Sequence, residues 1–360
     1  AVAFLKEHQP EADRATCDEA FLTKQAELAI AARASVPWGA SLSDELFLGY
    51  VLPYAQANEA REDWRTDFAA RFLPKVKDCA APGEAALRLN RLVFAELNVH
   101  YSTGRKRADQ APSESIAQGK ASCTGLSILL ADACRACCVP ARLVSVVWPH
   151  KKGNHTWVEV FDGSDWRFVG ADEPDPAGFD RAWFTGDAAQ CADADREHRI
   201  WAVSFAPTGE RFAAGWAPGV ELHGVERALA EHPSADAAAR RSQLDYHTLY
   251  LLQVLLLDRG TTSGLLVHDQ NDVGIMGSLP AFIDRALLAS WRARLPPLQQ
   301  PLLDAILAAL PAAAGEACHV DEPARARLAI ALREFYRDHP EALELQARGD
   351  VVPPTVDNHR

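Results

Sequence analysis

The sequence predicts an α+β fold, in which a helix bearing a cysteine at its first turn packs on an antiparallel sheet. Two observations predict this core. Apolar residues recur with a period of 3.6 between Leu126 and Cys137, which is typical of a helix with one buried face. Runs rich in β-branched and aromatic residues follow at residues 142–148, 155–161 and 166–169, and these indicate strands.

Helical regions are predicted on both sides of this core. Residues 1–82 form a helical N-terminal region, and Pro82-Gly83 punctuates the chain before the core at residues 83–222. From Val225 the composition shifts to Ala, Leu, Arg and Glu, so residues 223–360 are predicted as a helical C-terminal region. Its helices are predicted at residues 246–257, 281–295, 302–310 and 323–336, with a frayed tail at residues 349–360.

Cys123 is the candidate nucleophile, because it lies at the predicted start of the core helix. Ser122 is the natural N-cap of that helix. The unpaired amides and the positive dipole end of a helix N-terminus lower the pKa of a thiol, so we expect a Cys123 thiolate near neutral pH. The alternative is a buried structural thiol, the common state of a free cysteine.

A hairpin predicts the base and the acid that accompany Cys123. Residues 162–165 have the composition of a turn between the strands at residues 155–161 and 166–169. If Phe161 faces Trp166, paired numbers sum to 327 and His155 faces Asp172. A bulge of one residue would bring Ala171 or Glu173 there instead. A carboxylate that orients an imidazole beside a thiol is the arrangement of a catalytic triad.

At these residues the sequence resembles the transglutaminase-like superfamily, between Gly119 and about Phe184. The resembling segments are residues 122–127, 134–136 with 139–142, 154–160, and Trp166 ahead of Asp172. The resemblance implies a Cys123, His155 and Asp172 triad in an enzyme that acts on amides. The sequence departs from this family in two places. Gly170-Ala171-Asp172-Glu173-Pro174 stands where an Asp-Pro-Thr-like element is usual, which leaves Glu173 as the alternative acid. Cys138 stands where a Gly is usual.

Further side chains carry weaker hypotheses. Gln118 could donate to an oxyanion together with the Cys123 amide, although a lone Gln in a polar loop is more often solvated. Strand tryptophans could line a substrate groove, although large aromatics on strands are usually core; these are Trp148, Trp157, Trp166 and Trp183. A zinc site at Cys134, Cys137 and Cys138 lacks a second ligand pair, and no metal or cofactor is predicted.

Composition excludes several classes of function. The net charge of −12 argues against an extended nucleic-acid surface, and no stretch reaches the roughly 18 apolar residues of a membrane span. Eight cysteines in 360 residues are too sparse for a disulfide scaffold. A start at Ala1 fits either a mature exported chain after signal removal or a shortened chain, and the sequence leaves both open.

The sequence therefore predicts a cysteine-dependent amide hydrolase that acts on a peptide or protein-like substrate through a thioester. Two alternatives stay open: a transamidase that passes the acyl group to an amine, and a binding or scaffold module on the same fold. Hydrolysis is preferred because it requires no amine-selective pocket. No calcium loop of the Asp-x-Asp-x-Asp-Gly type is present in the sequence.

Overall fold

The fold is α+β, as predicted, and its sheet is antiparallel. The computed structural model describes residues 1–149, 152–175, 178–182, 184–189, 191, 194–227, 248, 251–252, 282–312, 317–339 and 341.

Helices dominate the first part of the chain. In chain order they are α1 (Val2–His8), a 3-10 turn (Glu11–Ala15), α2 (Glu19–Ser35), α3 (Asp44–Tyr50), α4 (Trp64–Val76), α5 (Pro82–Leu97), α6 (Pro112–Gln118) and α7 (Cys123–Ala136). A short parallel pair lies among them, in which β1 (His100–Tyr101) pairs with β2 (Lys120–Ala121) directly before α7.

The main sheet has six strands in the order β5-β4-β3-β6-β8-β7, and each neighbouring pair is antiparallel. Its strands are β3 (Ala141–Val147), β4 (Asn154–Phe161), β5 (Trp166–Val169), β6 (Ile200–Val203), β7 (Arg211–Ala213) and β8 (Glu221–Arg227). A short helix, α8 (Thr185–Ala189), and a 3-10 turn (Arg196–His198) lie between β5 and β6.

Local rules account for both ends of the central helix α7. The Ser122 Oγ accepts a hydrogen bond from the Gly125 amide at 3.0 Å, as the N-cap prediction required. At the other end Val139 N donates to Cys134 O at 2.8 Å and Cys138 N donates to Arg135 O at 3.1 Å, which is a Schellman motif. Cys138 has φ 56° in this motif, and this left-handed conformation explains why a Gly is usual there.

The N-terminal helices share a hydrophobic core with α7 and one face of the sheet. Arg65 of α4 is fully buried, and its guanidinium donates to the carbonyl oxygens of Val51, Leu52, Pro53 and Arg135. Helices α2, α4 and α5 all pack against α7. The residues before and after the predicted domain boundary at residue 83 therefore share one hydrophobic core.

The sheet continues past the predicted limit at residue 222, because β8 extends to Arg227. The Arg227 Nε donates to Glu159 Oε1 of β4 at 3.0 Å. Glu159 also accepts two hydrogen bonds from Arg142, its cross-strand partner on β3, at 2.9 and 2.6 Å. One buried carboxylate thus connects three strands.

A second hydrophobic core lies in the C-terminal part, among buried residues between Leu251 and Tyr336. The helices predicted at residues 302–310 and 323–336 are present. The helix predicted at 281–295 is shorter than expected, because Phe282–Ile283 form a strand and the α-helix covers only Arg285–Ser290 before a 3-10 turn. Most of the predicted helix at 246–257 and the tail at 349–360 lie outside the described residues. The described helices are all too short or too polar to cross a membrane. The C-terminal elements are β9 (Phe282–Ile283), α9 (Arg285–Ser290), a 3-10 turn (Arg292–Arg294), α10 (Gln300–Ala309), β10 (Cys318–His319) and α11 (Glu322–Asp338).

Candidate active site

Cys123 is the first residue of α7 and is partly exposed, whereas the other seven cysteines of the chain are all buried. The residues that follow it anchor α7 to the start of β4. Thr124 Oγ1 and Thr156 Oγ1 are 2.9 Å apart, and Ser127 Oγ donates to Thr156 O at 3.2 Å. The thiol is therefore held beside Thr156, the residue that follows His155.

The pKa of the Cys123 thiol is raised above its ordinary value, because burial disfavours the thiolate. Hydrogen bonds from the Thr156 and Thr124 amides and the positive charge of Arg105 oppose this effect without overcoming it. The prediction of a lowered pKa is therefore wrong. The helix start supplies favourable dipoles, but packing against β4 removes the solvent that would stabilise a thiolate.

His155 lies near the start of β4, opposite Val146 of β3, and only 5% of its surface is exposed. Its ring contacts Phe184 at a centroid distance of 4.6 Å and lies between Trp148 and Trp157, at 6.3 and 6.0 Å. Trp148, Trp157 and Phe184 belong to a buried cluster on the sheet, so these two tryptophans are core residues. Trp166 is half-buried and covers Arg142, and Trp183 lies outside the described residues.

The register predicted for the hairpin is confirmed between Phe161–Trp166 and Val158–Val169. Strand β5 ends there, and the chain turns at Gly170, with Glu173 N donating to Gly170 O at 3.2 Å. Asp172 has φ 66° in this turn and is not a strand partner of His155. A Cβ at Gly170 would lie 2.0 Å from Glu173 Oε2, so a larger residue there would have to displace the Glu173 side chain. The Glu173 carboxylate therefore lies over Gly170.

The Asp172 carboxylate contacts a different imidazole, that of His100 on β1. His100 Nδ1 and Asp172 Oδ2 are 2.8 Å apart. Burial raises the pKa of Asp172, and the contact with His100 opposes that rise. The carboxylate that the hairpin register assigned to His155 therefore contacts His100.

Sequence reasoning missed two residues that hold this turn, Asn90 and His100. Asn90 of α5 is buried, donates to Gly170 O at 2.8 Å and accepts from Asp172 N at 3.1 Å. A signal existed for Asn90, because it shares the apolar face of α5 with Val93 and Leu97. For His100 there was none, since only the pairing of β1 with β2 brings it to the site.

Gln118, the candidate oxyanion donor, has both ends of its side chain engaged. Its Nε2 donates to Glu114 O at 3.0 Å, and its Oε1 accepts from Lys106 N at 3.0 Å. The buried Gln110 accepts from the same Lys106 amide at 3.1 Å and donates to Lys120 O at 2.8 Å. In this conformation the two glutamines hold the loop ahead of α6, so the oxyanion role of Gln118 stays a prediction.

The zinc alternative at the end of α7 finds no support in the geometry. Cys134, Cys137 and Cys138 are fully buried, and burial raises the pKa of all three thiols, that of Cys138 to about 12. All three side chains belong to the hydrophobic core, and the described part of the chain has no group of three or more His, Cys, Asp or Glu side chains placed to hold a metal ion. The three cysteines pack as small apolar side chains.

Comparison with known proteins supports the family resemblance. Residues 68–171 match the model of the transglutaminase-like superfamily, a match that begins inside α4 and ends in the turn after β5. The chain contains a transglutaminase-like core, and such a core supports a cysteine-dependent enzyme at the level of the superfamily. The comparison with curated proteins gives no match.

Among solved structures, the chain is similar to that of a candidate cysteine protease from Cytophaga hutchinsonii. The two share 17% identity with a TM-score of 0.31, and the alignment covers 40% of this chain. It spans about half of the other protein, 48% of its length. A similarity this distant carries no argument about the activity of the present protein.

Proposed function

We propose that this protein is a cysteine-dependent amide hydrolase in which Cys123 is the nucleophile, His155 the base and Asp172 the acid that orients it. The observation that carries the proposal is the position of Cys123. The residue is partly exposed, although its sulfur packs against β4, whereas the other seven cysteines are buried; it begins a buried helix and lies beside the residue that follows His155. A purely structural cysteine has no need of that exposure.

The chemistry follows from these groups. The base takes the Cys123 proton, and the sulfur attacks the carbonyl carbon of an amide. The carbon–nitrogen bond breaks, the amine leaves with the proton, and a thioester remains on Cys123. Water deprotonated by the same base then attacks the thioester, which releases a carboxylic acid and restores the thiol. The Cys123 amide, at the first position of α7, has no helical partner and suits the oxyanion, whereas the Gly125 amide is bound by Ser122.

Because the pKa of the Cys123 thiol is raised, a base removes its proton during catalysis, and the nucleophile is not a preformed thiolate. We assign that role to His155. The acid is Asp172, with Glu173 as the alternative. The conformation described here pairs Asp172 with His100, and this contact favours His100 as a second candidate for the base.

A trapping experiment tests the proposed reaction. The full-length protein is incubated with a peptide library in water enriched in oxygen-18, quenched in acid and analysed by mass spectrometry. We expect acylated Cys123 at short times and new carboxyl groups carrying oxygen-18 at long times. Cys123→Ala should show neither product. Faster transfer of the acyl group to an added primary amine than to water would assign the protein as a transamidase instead, and unmodified Cys123 with no product would leave the binding-module alternative.

Base variants separate His155 from His100. We expect His155→Gln to lower the rate of acyl-enzyme formation by about 10²–10⁴, the usual contribution of a general base. His100→Asn retains a donor near the Nδ1 position, so it should lower the rate by less than about tenfold if His100 only positions Asp172. An equal loss in the two variants would transfer the role of the base to His100. Asp172→Asn should slow acylation while leaving Cys123 open to alkylation.

A further inference from the structure

A group of basic side chains lies in the segment that leads to Cys123. Lys120 lies on β2 shortly before the nucleophile, paired in register with His100 of β1. Arg105 and Lys106 lie in the loop that connects β1 to α6. The segment 102–122 carries four basic and two acidic side chains, although the whole chain has a net charge of −12. The segment before Cys123 is therefore net positive, whereas the chain as a whole is net negative.

Arg105 is the member of this group that acts on the nucleophile. Its positive charge lowers the pKa of the Cys123 thiol against the larger effect of burial. Its guanidinium donates to Ser102 O at 3.3 Å and lies 6.0 Å from the Tyr101 ring centroid. Both contacts come from its own loop, and Gln110 and Gln118 fix that loop through the Lys106 amide. Ser102 N donates to Ala121 O at 2.9 Å, two residues before Cys123, so the pairing of β1 with β2 holds the Arg105 loop against the start of α7.

The two acids of the same segment are engaged elsewhere. Glu114 binds Arg107 at 2.6 Å and the Ala111 amide at 2.9 Å, and Asp109 accepts from Asn58 at 2.5 Å. Arg107 is therefore paired. In the described part of the chain, Arg105, Lys106 and Lys120 have no carboxylate within salt-bridge distance. Arg105 and Lys120 are partly buried, and solvent screens a partly buried charge less than one on an open surface.

We propose that these residues form an anionic subsite, and that the substrate is a peptide-like amide with a free carboxylate close to the scissile bond. Arg105 is the principal contact, with Lys106 and Lys120 at the rim. A guanidinium that has no carboxylate of its own protein to bind can engage a substrate carboxylate through two parallel hydrogen bonds. This inference rests on the proposed function, since it takes Cys123 as the reacting atom.

Two alkylating probes that differ in charge test the subsite without a known substrate. Iodoacetate is an anion and iodoacetamide is neutral, and both alkylate a thiolate with loss of iodide. Their rates at Cys123 are measured by peptide mapping of the full-length protein, and the ratio is normalised to that of N-acetylcysteine. A change in thiol pKa alters both rates equally and cancels in the ratio. The variants are Arg105→Gln and, as the matched control, Arg107→Gln.

We expect iodoacetate to be favoured at Cys123 by roughly threefold or more over N-acetylcysteine, since a basic cleft concentrates anions. Arg105→Gln should remove most of that preference, and Arg107→Gln should leave it. Salt near 1 M, where the Debye length is about 3 Å, should reduce it in the unaltered protein. Circular dichroism verifies that both variants fold.

The outcomes separate the subsite from the nucleophile. Labelling of Cys123 with a ratio equal to that of N-acetylcysteine would overturn the anionic subsite and leave the proposed function intact. An equal fall in both variants would also overturn it, because the preference would then come from the loop as a whole. Failure of both probes to label Cys123 would overturn the nucleophile and the subsite together.

Discussion

At the scale of single residues, the environment of Cys123 decides how its thiol reacts. Burial raises its pKa, and the amides of Thr156 and Thr124 and the charge of Arg105 only reduce that rise. A group whose pKa is raised stays protonated to higher pH, so little thiolate exists near neutrality. The raised pKa therefore favours a base-assisted nucleophile over a stable ion pair.

The corresponding prediction concerns alkylation by iodoacetamide as a function of pH. We expect the rate at Cys123 to rise with a midpoint at or above the ordinary cysteine value of ~8.5. Arg105→Gln should move the midpoint higher, because it removes a charge that stabilises the thiolate. A midpoint below about 7 would indicate a preformed thiolate and contradict base assistance.

At the scale of elements, Glu159 connects the strands behind the site. Its side chain is 2% exposed, and it binds Arg142 of β3 and Arg227 of β8. Arg142 also lies 3.9 Å from the Trp166 ring centroid, which adds β5 to the same cluster. Since β4 carries both His155 and Thr156, this cluster holds the strand that positions the candidate base.

We expect Glu159→Gln to lower the free energy of unfolding by about 3–5 kcal/mol, because it leaves a buried guanidinium without its counter-charge. Chemical denaturation monitored by tryptophan fluorescence measures the loss. Glu226→Gln is the control: Glu226 binds Arg199 on the surface, and exposed pairs contribute roughly 0–1 kcal/mol. Equal losses in the two variants would show that the buried cluster contributes no more than a surface pair.

At the scale of the whole molecule, the described residues form two large hydrophobic cores and the smaller cluster that contains Trp148, Trp157 and Phe184. The first large core contains the N-terminal helices, α7 and part of the sheet, and the second contains α9, α10 and α11. Leu129 of α7 and Leu303 of α10 are fully buried in these two cores. A substitution that leaves a cavity in one core should therefore destabilise that core before it affects the other.

The same substitution in each core tests this division. We expect Leu129→Ala and Leu303→Ala each to cost about 2–5 kcal/mol in the core that contains the residue. Calorimetry should show a lower unfolding temperature in each variant. Cys123 alkylation, measured in parallel, should change only in Leu129→Ala. One transition that both variants lower equally would show that the two cores unfold as a single unit.

The sequence by itself determined the elements that obey local rules. The N-cap at Ser122, the α7 stripe and the β4–β5 register depend on residue type and spacing within a short segment, so they could be predicted. The candidate nucleophile and the superfamily came from the same segment.

Only the tertiary structure decided what the side chains meet. The hairpin register predicted that Asp172 pairs with His155. In the structure the strand ends before Gly170, Asn90 of α5 binds the following turn, and the Asp172 carboxylate contacts His100 instead. The helix start predicted a lowered thiol pKa, yet packing against β4 raised it. Contacts between distant segments set desolvation and the direction of a carboxylate, and no local pattern records which distant residues will meet.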